Sequence, residues 1–205
     1  MDIKKNTITK IYSSFSQNAS YEYRETGEQG IRLLKTDEEG DLYFAVYGYF
    51  PRGQYEGKVA IVLYKYDLGE DKLNELVYLP MDTTYQQLRQ DFNSYGYVSE
   101  RNVYYFMVAN VVYSYNMEAR RLTKIAENVT DQGFKVMRHS NCYVWSDSLE
   151  KGYGEEITVF HLETEKKVVI PKAAEGEYVR LLGVINADVI YGYVKKTDIA
   201  STKVG

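Results

Sequence analysis

The stretch that decides the fold is Leu42-Tyr43-Phe44-Ala45-Val46-Tyr47-Gly48-Tyr49-Phe50. It carries no charge and is dominated by aromatic side chains, a composition that suits a pleated strand. A strand sends successive side chains to opposite faces. One face here presents Leu42, Phe44, Val46 and Phe50; the other presents Tyr43, Ala45, Tyr47 and Tyr49. A sandwich strand meets water on one side and should alternate apolar with polar. This strand is apolar on both sides, and so is Val103 to Val108. The reading therefore predicts inner strands covered on both faces, with Phe44, Val46, Ile61, Leu63, Phe106 and Val108 in the core. The strands expected at the outside, Leu73-Asn74-Glu75-Leu76 and Leu122-Thr123-Lys124-Ile125, are more polar.

Working outward from that strand reveals a repeat. Tyr66-Asp67-Leu68, Tyr115-Asn116-Met117 and Phe160-His161-Leu162 each combine an aromatic, a polar turn-former and an aliphatic residue at the end of an apolar run. Charged residues follow each mark, and a new strand begins at Leu73, Leu122 or Val168. The marks are 49 and 45 residues apart. Upstream of each lies a strand–turn–strand: Ile31 to Leu34 with Leu42 to Phe50, Tyr95 to Val98 with Val103 to Val108, and Phe134 to Met137 with Cys142 to Trp145. A fourth copy runs from Tyr178 to Val184 and from Val189 to Val194. Short strands joined by Gly, Asn and Asp turns imply antiparallel hairpins.

The expected fold class is thus all-β, built of four-stranded antiparallel units at 31–79, 95–127 and 134–170, with a two-strand unit at 178–195. An N-terminal strand-like segment (1–30, with runs at Ile8 to Phe15 and Tyr21 to Arg24) precedes them, and a polar tail (196–205) follows. Between the first two units, Met81 to Asn93 reads as a short helix. There Thr83-x-x-Gln86 matches a capping box, and Tyr85, Leu88 and Phe92 share a face.

A period of about 40 to 50 residues is that of β-propeller blades. The units resemble the divergent, tyrosine-rich blades of extracytoplasmic proteins of Gram-positive bacteria. The resemblance covers residues 31 to 195 and is one of repeat pattern; the sequence has neither a Trp-Asp blade ending nor a kelch di-glycine. It implies a partial, open propeller of about three and a half blades, part of a longer protein. A small closed ring completed by the N-terminal strands, or a β-sandwich, are the alternatives. An open arc leaves apolar blade faces bare, which predicts self-association through them.

Composition narrows the function classes. Of 205 residues, 44% are apolar and 22 are tyrosine, while the formal charge is −4. That mild acidity lacks the clustered basic face of a nucleic-acid binder. The single cysteine, Cys142, allows no internal disulfide. No run approaches the roughly 18 apolar residues of a membrane span, and Met1 to Phe15 has no signal-peptide apolar core. An extracytoplasmic location therefore requires an export signal outside this chain.

Groups with chemistry are sparse. His139-x-x-Cys142 has a usable metal-ligand spacing but no third or fourth ligand beside it, and His161 holds the turn position of Asp67 and Asn116. Asp37, Glu39 and Asp41 offer alternating oxygens to a hard cation without an EF-hand pattern. Glu70-Asp71 and Glu155-Glu156 fall in expected turns rather than facing one another as glycosidase carboxylates do. Gly152-x-Gly154 precedes no helix, and no Gly-x-Ser-x-Gly occurs. The sequence thus predicts no catalytic residue, metal or cofactor. The two long hairpin loops, Pro51 to Gly57 and Ser146 to Glu155, carry or flank Tyr49, Tyr55 and Tyr153, the candidates for ligand or partner contact. The expected function is a non-catalytic extracytoplasmic binding or scaffolding module for a protein or a cell-surface glycan. The alternative is a fragment of a carbohydrate-active protein.

Overall fold

A computed structural model describes residues 8–12, 29–51, 53–94, 96–147 and 153–201. Over these residues the chain is all-β with two short α-helices, and it divides into two compact units at Ser94 and Tyr95.

In the first unit β1 (Gln29–Thr36), β2 (Leu42–Phe50), β3 (Lys58–Asp67) and β4 (Lys72–Pro80) form one antiparallel meander in chain order. The expectation for the inner strands holds: Phe44 and Val46 are buried on one face, and Ala45, Ile61 and Leu63 on the other. Helix α1 (Tyr85–Ser94) covers the second face with Leu88 and Phe92, both fully buried, and Phe92 packs on Tyr47 with ring centroids 4.8 Å apart. Its cap is one residue later than the sequence suggested. Thr84 Oγ1, not Thr83, accepts the Gln87 N–H at 3.3 Å, because the helix starts at Tyr85. Gln87 then donates to Asp91 rather than closing a capping box.

The second unit holds three sheets. β5 (Tyr97–Val98), β6 (Val103–Val108), β7 (Val111–Asn116) and β8 (Arg121–Ala126) form one, again in chain order. Next come β9 (Phe134–Met137), β10 (Cys142–Ser146), β11 (Tyr153–Gly154), β12 (Glu156–His161) and β13 (Lys167–Pro171). Four of these make a sheet of order β13-β12-β10-β9. β14 (Glu177–Ile185) and β15 (Asp188–Lys195) pair as the fourth hairpin, followed by helix α2 (Lys196–Ser201).

These three sheets stack face to face in sequence. Tyr143, Trp145 and Phe160 of one face of the β10–β12 sheet pack with Val103, Tyr105 and Met107 of β6. Cys142, Val144 and Ile157 of its other face pack with Val179 and Leu181 of β14. Every residue of β6 is buried, whereas β8 and β13 are mostly exposed. β6 and β10 are dry and β8 is wet, as their composition predicted, whereas β13 is wet although Val168 and Val169 are apolar, and β15 is mostly exposed.

The repeated turn marks perform the same task in each unit. Asp67 Oδ1 accepts the Glu70 N–H at 2.8 Å, and Asn116 Oδ1 accepts the Ala119 N–H at 2.8 Å. His161 Nδ1 accepts the Glu163 and Thr164 N–H groups at 3.2 and 3.4 Å. A side-chain acceptor just before a turn replaces a lost ladder partner, so an imidazole can stand in for a carboxylate.

Three expectations need correction. The fourth unit has three strands, because Tyr153 and Gly154, expected within a hairpin loop, pair with Arg180 and Val179 of β14. The tail expected after residue 195 turns helical at Lys196–Ser201, with Asp198 in the first turn where the helix dipole favours a carboxylate. The strand expected at Ile8 to Phe15 is not one over residues 8–12: Ile11 and Tyr12 lay their side chains on the β2–β3 face instead of joining an edge. The remainder of that run, and Tyr21 to Arg24, lie outside the described residues.

Candidate functional site

The first sheet's face opposite α1 gathers aromatic rings. Cross-strand register explains why: Phe44 lies opposite Tyr64, and Val62 opposite Tyr78, so both tyrosines share the face of Phe44 and Val46. Phe44 and Tyr64 stack with centroids 5.5 Å apart, and Tyr12 leans on both at 6.2 and 5.7 Å. A slip in the β3–β4 register between Leu63 and Tyr64 brings Glu75 opposite Tyr64, onto this same face.

The turn 53–57 folds Tyr55 back over it. The Gly57 N–H bonds the Phe50 carbonyl at 2.8 Å and the Lys58 N–H bonds the Tyr55 carbonyl at 3.1 Å. Gly57 takes φ +77°, a left-handed conformation that closes the loop without Cβ strain. Tyr55 consequently lies flat on Tyr78, with centroids 3.8 Å apart and planes 9° from parallel, and edge-on to Phe50 at 6.0 Å. Its hydroxyl donates to Glu75 Oε1. Burial and that carboxylate push the Tyr55 phenol up to about 12, so it is a neutral donor throughout the physiological range. Tyr55, Tyr64 and Tyr78 remain partly exposed, and on the same face Ile31 and Leu33 are 61% and 62% exposed. The result is a preorganised aromatic surface with one fixed carboxylate.

The three tyrosines singled out from sequence have different surroundings. Tyr55 is the centre of this surface. Tyr49 pairs with Val59 and belongs to the opposite face of the same sheet. Tyr153 lies in the second unit, its ring under the Arg180 guanidinium at 4.9 Å and its hydroxyl accepting from that group at 3.1 Å. Tyr12, Tyr64, Glu75 and Tyr78 escaped the sequence reading. The register slip beside Leu76 breaks the alternation that would have aligned Glu75 and Tyr78, and ring contacts of Tyr12 are tertiary.

The other candidate groups are engaged locally. Asp37, Glu39 and Asp41 bring carboxylate oxygens within 4.8 Å of one another. Asp41, buried, accepts from Lys65 Nζ at 2.6 Å and from the Leu68 N–H at 2.9 Å, and Asp37 accepts from the Asp41 N–H. The Lys65 ammonium and the Leu68 amide hold the Asp41 carboxyl below its usual range. Cys142 donates its thiol to the Ser140 carbonyl at 3.2 Å, and burial raises its pKa. His139 lies in the 3-10 turn Arg138–Ser140. Glu155 sits between Lys172 and Lys196, whose hydrogen bonds hold its carboxyl low.

No family model and no curated protein matches the chain. Among the described residues, no helix is long and apolar enough to cross a membrane.

Proposed function

We propose that this chain is a non-catalytic binding module of propeller-like repeats, whose ligand is a cell-surface glycan held on the aromatic face of the first sheet. The observation that carries the reading is the Tyr55–Tyr78 stack with Glu75 fixed at its edge. The C–H face of a pyranose ring is apolar and stacks on a flat aromatic, while the sugar hydroxyls bond a nearby carboxylate or phenol. Tyr55 is ordered before any ligand arrives, which lowers the entropic cost of binding.

The non-catalytic character is supported by how the carboxylates are used. A general acid at neutral pH needs its pKa raised, yet ammonium groups hold Asp41 and Glu155 low. Glu75, Asp71, Glu163 and Glu165 are each bonded to a tyrosine hydroxyl. The propeller reading is supported by sheets stacked in sequence within the second unit and by strands dry on both faces. An extracytoplasmic location follows from the resemblance of the repeats together with this ligand class.

Calorimetric titration with β-1,4-linked glucose and N-acetylglucosamine oligosaccharides tests the proposal. Binding is expected for one series and should fall at least about tenfold in Tyr55→Ala, the loss of a stacking contact worth about 1.4 kcal/mol. Tyr49→Ala should bind as wild type. Equal binding by Tyr55→Ala, or none by wild type to either series, would remove the assignment.

A further inference from the structure

The last strand presents a sheet edge unlike the others. Long edge strands in the remaining sheets carry the features that discourage pairing with another chain. These are Arg32 and Lys35 in β1, Glu75 in β4, Lys124 in β8, Lys135 in β9, and Lys167 with Pro171 in β13. β15 has no charge or proline between its terminal Asp188 and Lys195, where the residues are Val-Ile-Tyr-Gly-Tyr-Val, and the register shift in its ladder puts the extra residue, Leu182, on β14. Among the described residues it pairs with β14 alone. Yet in its hairpin it corresponds to β2, β6 and β10, each flanked by strands on both sides. Ile190, Tyr191 and Tyr193 are 40%, 39% and 47% exposed.

We infer that this edge pairs with the same edge of a second copy of the chain. Opposed residues of an antiparallel pair share a face, so a two-fold self-pairing must centre on a residue. Centring on Gly192 sets Tyr191 against the partner's Tyr193 on one face, and Ile190 against the partner's Val194 on the other. Val189 then stands opposite the partner's Lys195, the last residue of the strand, so the one charge the pairing meets lies at each end. Gly192 at the dyad offers no side chain to crowd its copy. The product is one six-stranded sheet made from two three-stranded ones. It uses no residue of the aromatic face and does not depend on the glycan assignment.

Sedimentation of the full chain over a concentration series, with hydrogen exchange read at β15, tests this. The expected result is a dimer that dissociates on dilution, with β15 amides more protected as the dimer fraction grows. Ile190→Lys, which places a charge on the edge, should be monomeric with an unchanged circular-dichroism spectrum. Tyr191→Lys, which sets a charge against the partner's Tyr193 on the other face, should weaken association at least about tenfold. A monomer at all concentrations overturns the inference, including one whose β15 is protected regardless of concentration because another segment of the chain covers the edge. So does a dimer that neither substitution weakens.

Discussion

Gly30 of β1 lies directly opposite Tyr47 of β2, and the Tyr47 ring closes over it: a Cβ placed on Gly30 would fall inside van der Waals contact with the ring carbons and the hydroxyl. The same ring continues to Phe92 of α1. An aromatic roofing a cross-strand glycine near a sheet edge protects backbone that would otherwise be wet, and here it also docks the helix. Gly30→Ala should therefore displace Tyr47 and cost about 1–3 kcal/mol, read as a lower denaturant midpoint with an unchanged slope. An unchanged midpoint would mean that Tyr47 swings aside freely and that the helix does not rely on it.

Phe106 is fully buried in β6, between Tyr104 at 5.1 Å and Tyr113 at 5.3 Å. Phe106→Ala leaves a cavity that stacked rings cannot collapse into, so about 3–5 kcal/mol of stability should be lost. Urea unfolding that matches wild type would contradict burial on both faces of the inner strands.

The phenols set an alkaline limit. Burial, then hydrogen bonds to Glu163 and Glu165, raise the pKa of Tyr97 and Tyr105, and burial raises that of Tyr64. A raised folded-state pKa contributes stability below the unfolded value of 10.0 and loses it as pH climbs past that point. Stability should fall steeply above about pH 10, with tyrosinate absorbance of the native protein lagging that of the denatured chain. Coincident titration curves for the two states would refute the buried, carboxylate-bound phenols.

Asp41 acts at the opposite end of the scale. Its carboxyl is held low by Lys65 and the Leu68 amide, so its contribution is present above the ordinary 3.8 and lost as pH falls through the depressed folded value. Asp41→Asn should destabilise the protein at neutral pH and flatten the acid limb of the stability profile. A variant with the wild-type acid slope would show that the Asp41–Lys65 contact carries no linkage.

Much of the sheet architecture was legible because burial on two faces writes itself into composition. Leu42–Phe50 and Val103–Val108 begin and end where their apolar runs do, and turn acceptors at Asp67, Asn116 and His161 mark the hairpins. What stayed hidden depends on pairing rather than pattern. Tyr153-Gly154 reads as loop, since a two-residue strand has no periodicity and becomes one only by meeting Val179 and Arg180. The aromatic face was half visible: loop position singled out Tyr55, while Tyr78 and Glu75 sit beyond a register slip that no alternation rule anticipates.

The proposed glycan surface is the Tyr55–Tyr78 stack. Its most direct test is a nuclear magnetic resonance titration of protein labelled on tyrosine rings, using the oligosaccharide series that binds in calorimetry. Saturable shifts confined to Tyr55, Tyr64 and Tyr78, and abolished in Tyr55→Ala, are predicted. Shifts centred on Tyr153 or Tyr49, or saturable binding that leaves the Tyr55 and Tyr78 rings unperturbed, would contradict it.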